Sequence, residues 1–311
     1  MPAVIWLLSR CREDARFLLP GLVCLGLATT SPSARAQVTG SARTALAIVE
    51  DIRARRPIVD VGPDDVVVQE DADSREILSV RPADYPVVLM IDPGAAADEL
   101  EFIRKTVQRF VERLGSERPV AVGAFDDRAR ILAGFDADRR ELIKQLNELA
   151  APSSAVRSVH QAMQLATETL ASTGALFSSI VILSAGPSDD RDNGSSSVEG
   201  QDATASVVAS GAILHVIVNR ANRATHPAGP GTAAILRWSG DDALRTLTEQ
   251  SRGQFITIYT PASFEAALDQ LAARMTSELM IEYLVPNQSR AGDVKLGVRV
   301  PGAQVRGLGV R

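Results

Sequence analysis

The feature that most constrains this chain is a run of five apolar residues, Val87, Val88, Leu89, Met90 and Ile91, ending in Asp92, Pro93 and Gly94. No polar residue alternates with the apolar ones, so both faces of the segment must be covered. That is the pattern of a central parallel strand. Beyond the Pro-Gly turn, Leu100, Ile103, Val107, Phe110 and Leu114 recur on one helical face, which predicts a helix over 98–114. Strand, turn and helix together place Asp92 at the C-terminal edge of a sheet, facing a helix N-terminus, where open α/β sheets keep their sites.

The alternation continues along the chain. Residues 119–125 read as a second buried strand, and Asp126-Asp127 as a tight turn into 129–135, short enough for an antiparallel edge. Helical patterns cover 138–149 and 155–171. A third apolar strand at 177–183 ends in Ser184, Ala185 and Gly186. The Gly- and Ser-rich stretch 187–201 reads as a surface loop, followed by a helix at 202–210 and a strand at 211–218. Residues 219–233 form a second polar loop. A helix at 241–250 stops near Gly253, a strand follows at 255–259, and Pro261 opens a last helix reaching about residue 279. Strands alternating with such helices predict a doubly wound three-layer α/β sandwich with a mostly parallel central sheet and right-handed crossovers.

Flanking segments carry a different pattern. Two short β-rich runs, 57–71 and 75–80, precede the core, and 279–286, 293–300 and 303–310 follow it around the Pro301-Gly302 turn. These predict a small antiparallel appendage in which the tail pairs with the strands at 57–80. Residues 45–52 fit a helix or a short strand equally.

The first 36 residues read as a signal peptide: a basic and polar stretch from Arg10 to Arg16, an apolar run over 17–28, and an Ala34-Arg35-Ala36 cleavage signal. The apolar run, about a dozen residues, is short of a bilayer span. Retention of the leader as an anchor is the alternative. The expected organisation is a leader at 1–36, a linker and short β-rich segment at 37–83, the sandwich at 84–280 and a β segment at 281–311. Both cysteines, Cys11 and Cys24, fall in the leader, so the mature chain offers no disulfide, thiol nucleophile or thiolate metal site. Taking the leader's four arginines and two acids from 33 basic and 38 acidic residues leaves 29 against 36. Such a mildly acidic, mixed surface argues against nucleic acid as a partner. After the leader no apolar stretch is long enough to span a membrane.

At this point the residues resemble a known family, the von Willebrand factor type A domain, in its secreted bacterial branch of acidobacterial VWFA-related proteins. The strand ending at Asp92, the hairpin over 119–135, the strand and turn at 177–186, Gly253-Gln254-Phe255, the leading block at 57–80 and the closing Glu282-Tyr283-Leu284-Val285-Pro286 carry the likeness, over about 57–311. The resemblance implies a metal-ion-dependent adhesion site that holds Mg²⁺ or another divalent cation on an Asp-x-Ser-x-Ser motif, a Thr and a second Asp. Here the first Asp is Asp92. The two serine positions fall on Gly94 and Ala96, the Thr position on Ser154 (or Ser153 in a shifted register), and the second Asp position on Ala185. Three of the five have lost their side-chain oxygens, so the resemblance implies a degenerate site, with no metal and no other cofactor. A cation held by substitutes such as Asp98, Ser188, Asp189 and Asp190 is the alternative.

No other constellation reads as chemistry. His160, His215 and His226 lack metal-ligand spacing. No Gly-x-Ser-x-Gly elbow follows a strand, and the turn after Ile91 has neither a dinucleotide glycine fingerprint nor a phosphate-binding Lys loop. Trp238, Phe255 and Tyr259 read as packing residues. The expectation is a non-enzymatic adhesion or assembly domain, periplasmic or secreted. Its protein partner in the cell envelope meets an edge formed by Asp92, Ser153, Ser154, Ser184, Ser188 and Asp189. A structural assembly part, paired through its tail strands, and an enzyme needing a histidine beside Asp92 are the competing readings.

Overall fold

The computed structural model describes residues 40–94, 97–126, 128–151, 158–184, 198–220, 233–286 and 292–311, with the side chains at 97–99, 198–199 and 233–241 left aside. The first strand, β1 (Gly40–Asp51), is followed by a 3-10 turn, β2 (Val66–Glu70), β3 (Asp73–Arg75) and β4 (Ile77–Pro82). The α/β core comprises β5 (Val87–Ile91), α1 (Ala97–Arg113), β6 (Val120–Phe125), β7 (Ala129–Ala133), α2 (Arg139–Glu148), α3 (Val159–Ala171), β8 (Ser179–Ser184), α4 (Val198–Ser210), β9 (Ile213–Asn219), α5 (Ala233–Gln250), β10 (Phe255–Ile258) and α6 (Pro261–Thr276). The chain ends with β11 (Glu278–Pro286), β12 (Val294–Val298) and β13 (Ala303–Val310).

The central sheet has the order β10-β9-β8-β5-β6-β7. All neighbours are parallel except the β6–β7 edge pair. The doubly wound sandwich is thus the fold, and its first strand sits inside the sheet at the point where the order reverses. Side-chain alternation divides β5 between two cores. Val87, Leu89 and Ile91 pack with Val107 and Phe110 of α1 and Leu268 and Leu271 of α6. Val88 and Met90 pack with Met163 and Ala166 of α3 and Val207 of α4. Both faces of the strand are therefore dry, which is why its sequence lacks polar alternation. Gly123 of β6 has no alternative: a Cβ there would stand 2.6 Å from Met90 Sδ and 2.7 Å from the Arg130 carbonyl oxygen.

Helix starts follow their capping residues. Asp138 accepts the N–H groups of Arg140 and Glu141 at 2.8 and 2.9 Å, and Thr260 accepts that of Ser263 at 3.1 Å with Pro261 at the first helical position. Asp126 acts as the expected turn residue. Its carboxylate accepts the Arg128 N–H at 3.2 Å and pairs with Arg130 at 3.0 Å.

Outside the core, two antiparallel sheets replace the single small element expected. One has the order β13-β1-β11-β4 and the other β12-β2-β3. The anticipated pairings hold: β11 pairs with β4, and β12 with β2. Of residues 45–52, ambiguous in sequence, 45–51 belong to the twelve-residue β1, which lies between β11 and β13. Ala45, Ala47 and Val49 face Val66 and Val68 of the second sheet. Leu46 and Ile48 face the α/β core. Over 45–49 the strand is covered on both sides and apolar at every position, and that erased the period-2 signal. The last helix also departs from expectation, ending at Thr276. Ser277 caps it, its hydroxyl donating to the Arg274 carbonyl at 2.7 Å, and Leu279 already lies in β11.

Candidate functional site

Asp92 leaves the end of β5 with its N–H donated to the Leu183 carbonyl at 2.8 Å. One residue beyond the ladder, the carboxylate folds back and Oδ1 accepts the N–H of Gly94 at 2.8 Å, an Asx turn. The side chain is 1% exposed. Ser184, at the end of the neighbouring β8, is likewise buried at the same edge, in register with Val218 of β9. The structure therefore brings Asp92, Gly94 and Ser184 together. Ala96, Ser153, Ser154, Ala185, Ser188 and Asp189 lie outside the described residues, as do the leader and its cleavage signal.

Of the five positions named in the sequence, the described residues include Asp92 and Gly94, which together offer one carboxylate. Mg²⁺ requires a near-octahedral shell of oxygens. Among the described residues of this edge, the Asp92 carboxylate is buried and takes a backbone N–H, and Gly94 beside it brings no side-chain oxygen. Among the described residues, no three His, Cys, Asp or Glu side chains stand together so as to hold a metal ion.

The histidines divide. His215 is fully buried in mid-β9, in register with Val181, and neither ring nitrogen has a hydrogen-bond partner. Burial, reinforced by the positive charge of Arg274, pushes its pKa down to about 3. Counting ladder positions, it lies roughly 10 Å along the strands and roughly 10 Å across them from Asp92, out of reach of that carboxylate. His160 stands half-buried in the first turn of α3. The helix's N-cap residue, Ser158, donates its N–H to the Asp126 carbonyl at the end of β6 (3.1 Å), so His160 shares the C-terminal edge with Asp92. His226 lies outside the described residues.

The aromatic residues depart partly from the packing role expected of them. Phe255 is half-buried under Arg245, whose guanidinium carbon is 4.5 Å from the ring centroid. Tyr259 is 66% exposed, because β10 ends at Ile258 and the next residues turn outward to cap α6. Trp238 is among the side chains left aside.

A buried ionic group that the sequence did not announce lies at the opposite end of the sheet. Glu278, at the start of β11, is fully buried and accepts the Tyr85 hydroxyl. Arg274 Nε stands 3.9 Å away, and Arg118 lies over the Tyr85 ring at 4.6 Å while donating to the carbonyls of Ala83 and Met275. Burial raises the Glu278 pKa, and burial with the adjacent carboxylate raises that of Tyr85 well above the ordinary phenol value. The group joins the α/β core to the four-stranded sheet. Its members are scattered over 85–278, so no local motif could have revealed it.

No protein-family model matches the sequence, and no curated protein matches it. Solved structures do. A von Willebrand factor type A protein from Catenulispora acidiphila is 12% identical, with 88% of this chain and 73% of that one covered at a TM-score of 0.49. Proximal thread matrix protein 1 from the mussel byssus is 10% identical, with 63% and 48% covered at 0.46. The vWF domain of the type V pili tip protein Mfa5 from Porphyromonas gingivalis is 14% identical, with 63% and 96% covered at 0.46. The chain spans about half the length of the mussel protein.

Proposed function

We propose that this chain is a non-enzymatic, exported protein-binding domain of the cell envelope, periplasmic or secreted, working without a bridging metal. The observation that carries the reading is the state of Asp92: a buried carboxylate, turned onto its own Gly94 N–H, at the sheet edge where a cation-dependent site would need it presented. Ser184 stands beside it on the same edge. Small residues at 94–97 let a partner's backbone approach closely, and Ser153, Ser154, Ser188 and Asp189 supply polar contacts. The proposed organisation keeps a leader at 1–36, removed on export. No helix among the described residues is long and apolar enough to cross a membrane.

The test is crosslinking capture from the native envelope with the mature chain, in parallel with EDTA and with a Ser154→Arg/Asp189→Arg double variant. The expected result is one protein captured repeatedly, retained in EDTA and lost in the variant. Capture abolished by EDTA and restored by Mg²⁺ would overturn metal independence. A partner indifferent to both substitutions would overturn the assignment of the edge.

A further inference from the structure

We propose that the outer edge of β10 takes up an extended, uncharged segment of the chain's protein partner as an additional strand. The inference takes from the preceding reading only that the partner is a protein. The described strands form three sheets, whose edges are β10 and β7, β13 and β4, and β12 and β3. An open edge invites pairing with another chain, and proteins blunt it with charge or proline. Such residues stand in five of these strands: Arg130 in β7, Arg306 in β13, Pro82 in β4, Lys295 in β12 and Arg75 in β3. The exception is β10. From Gly253 to Thr260 there is neither a charge nor a proline.

The edge is also unspent. The Gln254 and Ile258 carbonyls accept the N–H groups of Val216 and Arg220 at 2.9 and 2.8 Å. In a parallel ladder alternate residues bond to a given neighbour, so the N–H and C=O groups of Phe255 and Thr257 point away from β9. Among the described residues nothing hydrogen-bonds to them. Cover from the helices is partial. Phe255, Ile256 and Thr257 are half-buried, whereas every residue of β5, β6 and β8 is buried. Arg245 sits over the Phe255 ring and so covers a face of the sheet, since strand side chains stand roughly perpendicular to it.

The size of the edge decides the occupant. The strand offers a strip roughly 13 Å long and roughly 10 Å deep. That is far short of the roughly 800 Å² that each partner of a stable globular complex buries, so a second copy of the chain gains too little there. An extended segment needs no more than the strip. Main-chain bonds supply its affinity, and apolar or threonine side chains settle beside Phe255, Ile256 and Thr257 without desolvating a charge. Tyr259, largely exposed, follows β10 at the same C-terminal edge as Asp92, three strand spacings or roughly 14 Å away. A partner seated over Asp92 is therefore within reach of β10.

The probe is a fluorescein-labelled peptide, Lys-Thr-Val-Thr-Val-Thr-Lys, titrated against the full chain by anisotropy, with its valines replaced by proline as the control. Two N–H and two C=O groups put the expected dissociation constant on the order of 1 mM, and the proline peptide should not bind. Thr257→Pro removes an outward N–H while leaving the bonds to β9 in place, as proline on an edge strand does. It should abolish binding without lowering the melting temperature. Amide exchange gives an independent check on the native chain: Phe255 and Thr257 should exchange faster than Ile256 and Ile258, and the peptide should slow them. Absence of binding, binding of both peptides alike, or equal exchange at all four amides would each overturn the inference. Concentration-dependent dimers lost in Thr257→Pro would overturn the choice of occupant in favour of a second copy. Failure of the peptide while envelope capture persists sinks this inference alone, and loss of capture while the peptide binds sinks only the assignment of the Asp92 edge.

Discussion

His215 makes the folded state sensitive to acid, and the size of the effect follows from its setting. The ring is buried in mid-β9 beside Arg274, with neither nitrogen hydrogen-bonded, and its pKa falls from 6.5 to about 3. The folded chain therefore binds fewer protons than the unfolded chain between those two values. Stability from this residue is complete above pH 6.5 and is lost as pH falls toward 3. Each unit is worth 1.36 kcal/mol, so the whole window amounts to about 5 kcal/mol and the step from pH 7 to pH 5 to about 2 kcal/mol. A His215→Leu variant removes that dependence. Urea unfolding of both proteins at pH 7, 6 and 5 is the assay. The variant also gains a constant amount from eliminating two unsatisfied nitrogens, so the diagnostic quantity is the change in the difference between the proteins. The variant's advantage should grow by about 2 kcal/mol from pH 7 to pH 5. A difference that stays constant across this range would refute the reasoning.

Glu278 works in the opposite sense. Its pKa is raised by burial, so the folded state holds the extra proton, and its contribution is greatest below the ordinary carboxylate value and declines as pH rises through the shifted one. Glu278→Gln, which keeps an acceptor for the Tyr85 hydroxyl, should flatten that decline in the same unfolding series. Glu278→Ala, which strands Arg274, should cost about 3–5 kcal/mol. Gly123→Ala forces Met90 or the Arg130 carbonyl to move and should cost about 1–3 kcal/mol, read from the melting transition and partly relieved by Met90→Val. Phe110→Ala, emptying the space between β5 and α6, should cost about 3–5 kcal/mol by denaturant unfolding.

What the sequence conveyed about the fold depended on how each segment is covered. Runs such as 87–91 and 119–125 were legible because a parallel strand with helices on both faces is apolar throughout. The same rule left 45–52 undecided between helix and strand, because over 45–49 an antiparallel strand is covered on both sides by a sheet and a core. The boundary between α6 and β11 was hidden because Met275, Leu279 and Ile281 continue an apolar series while the backbone changes partner from its own helix to β1 and β4. At the site, Asp92 was placed correctly by strand and turn alone. The turn of its carboxylate onto Gly94 could not be read from residue types, because it depends on the backbone angle after Ile91.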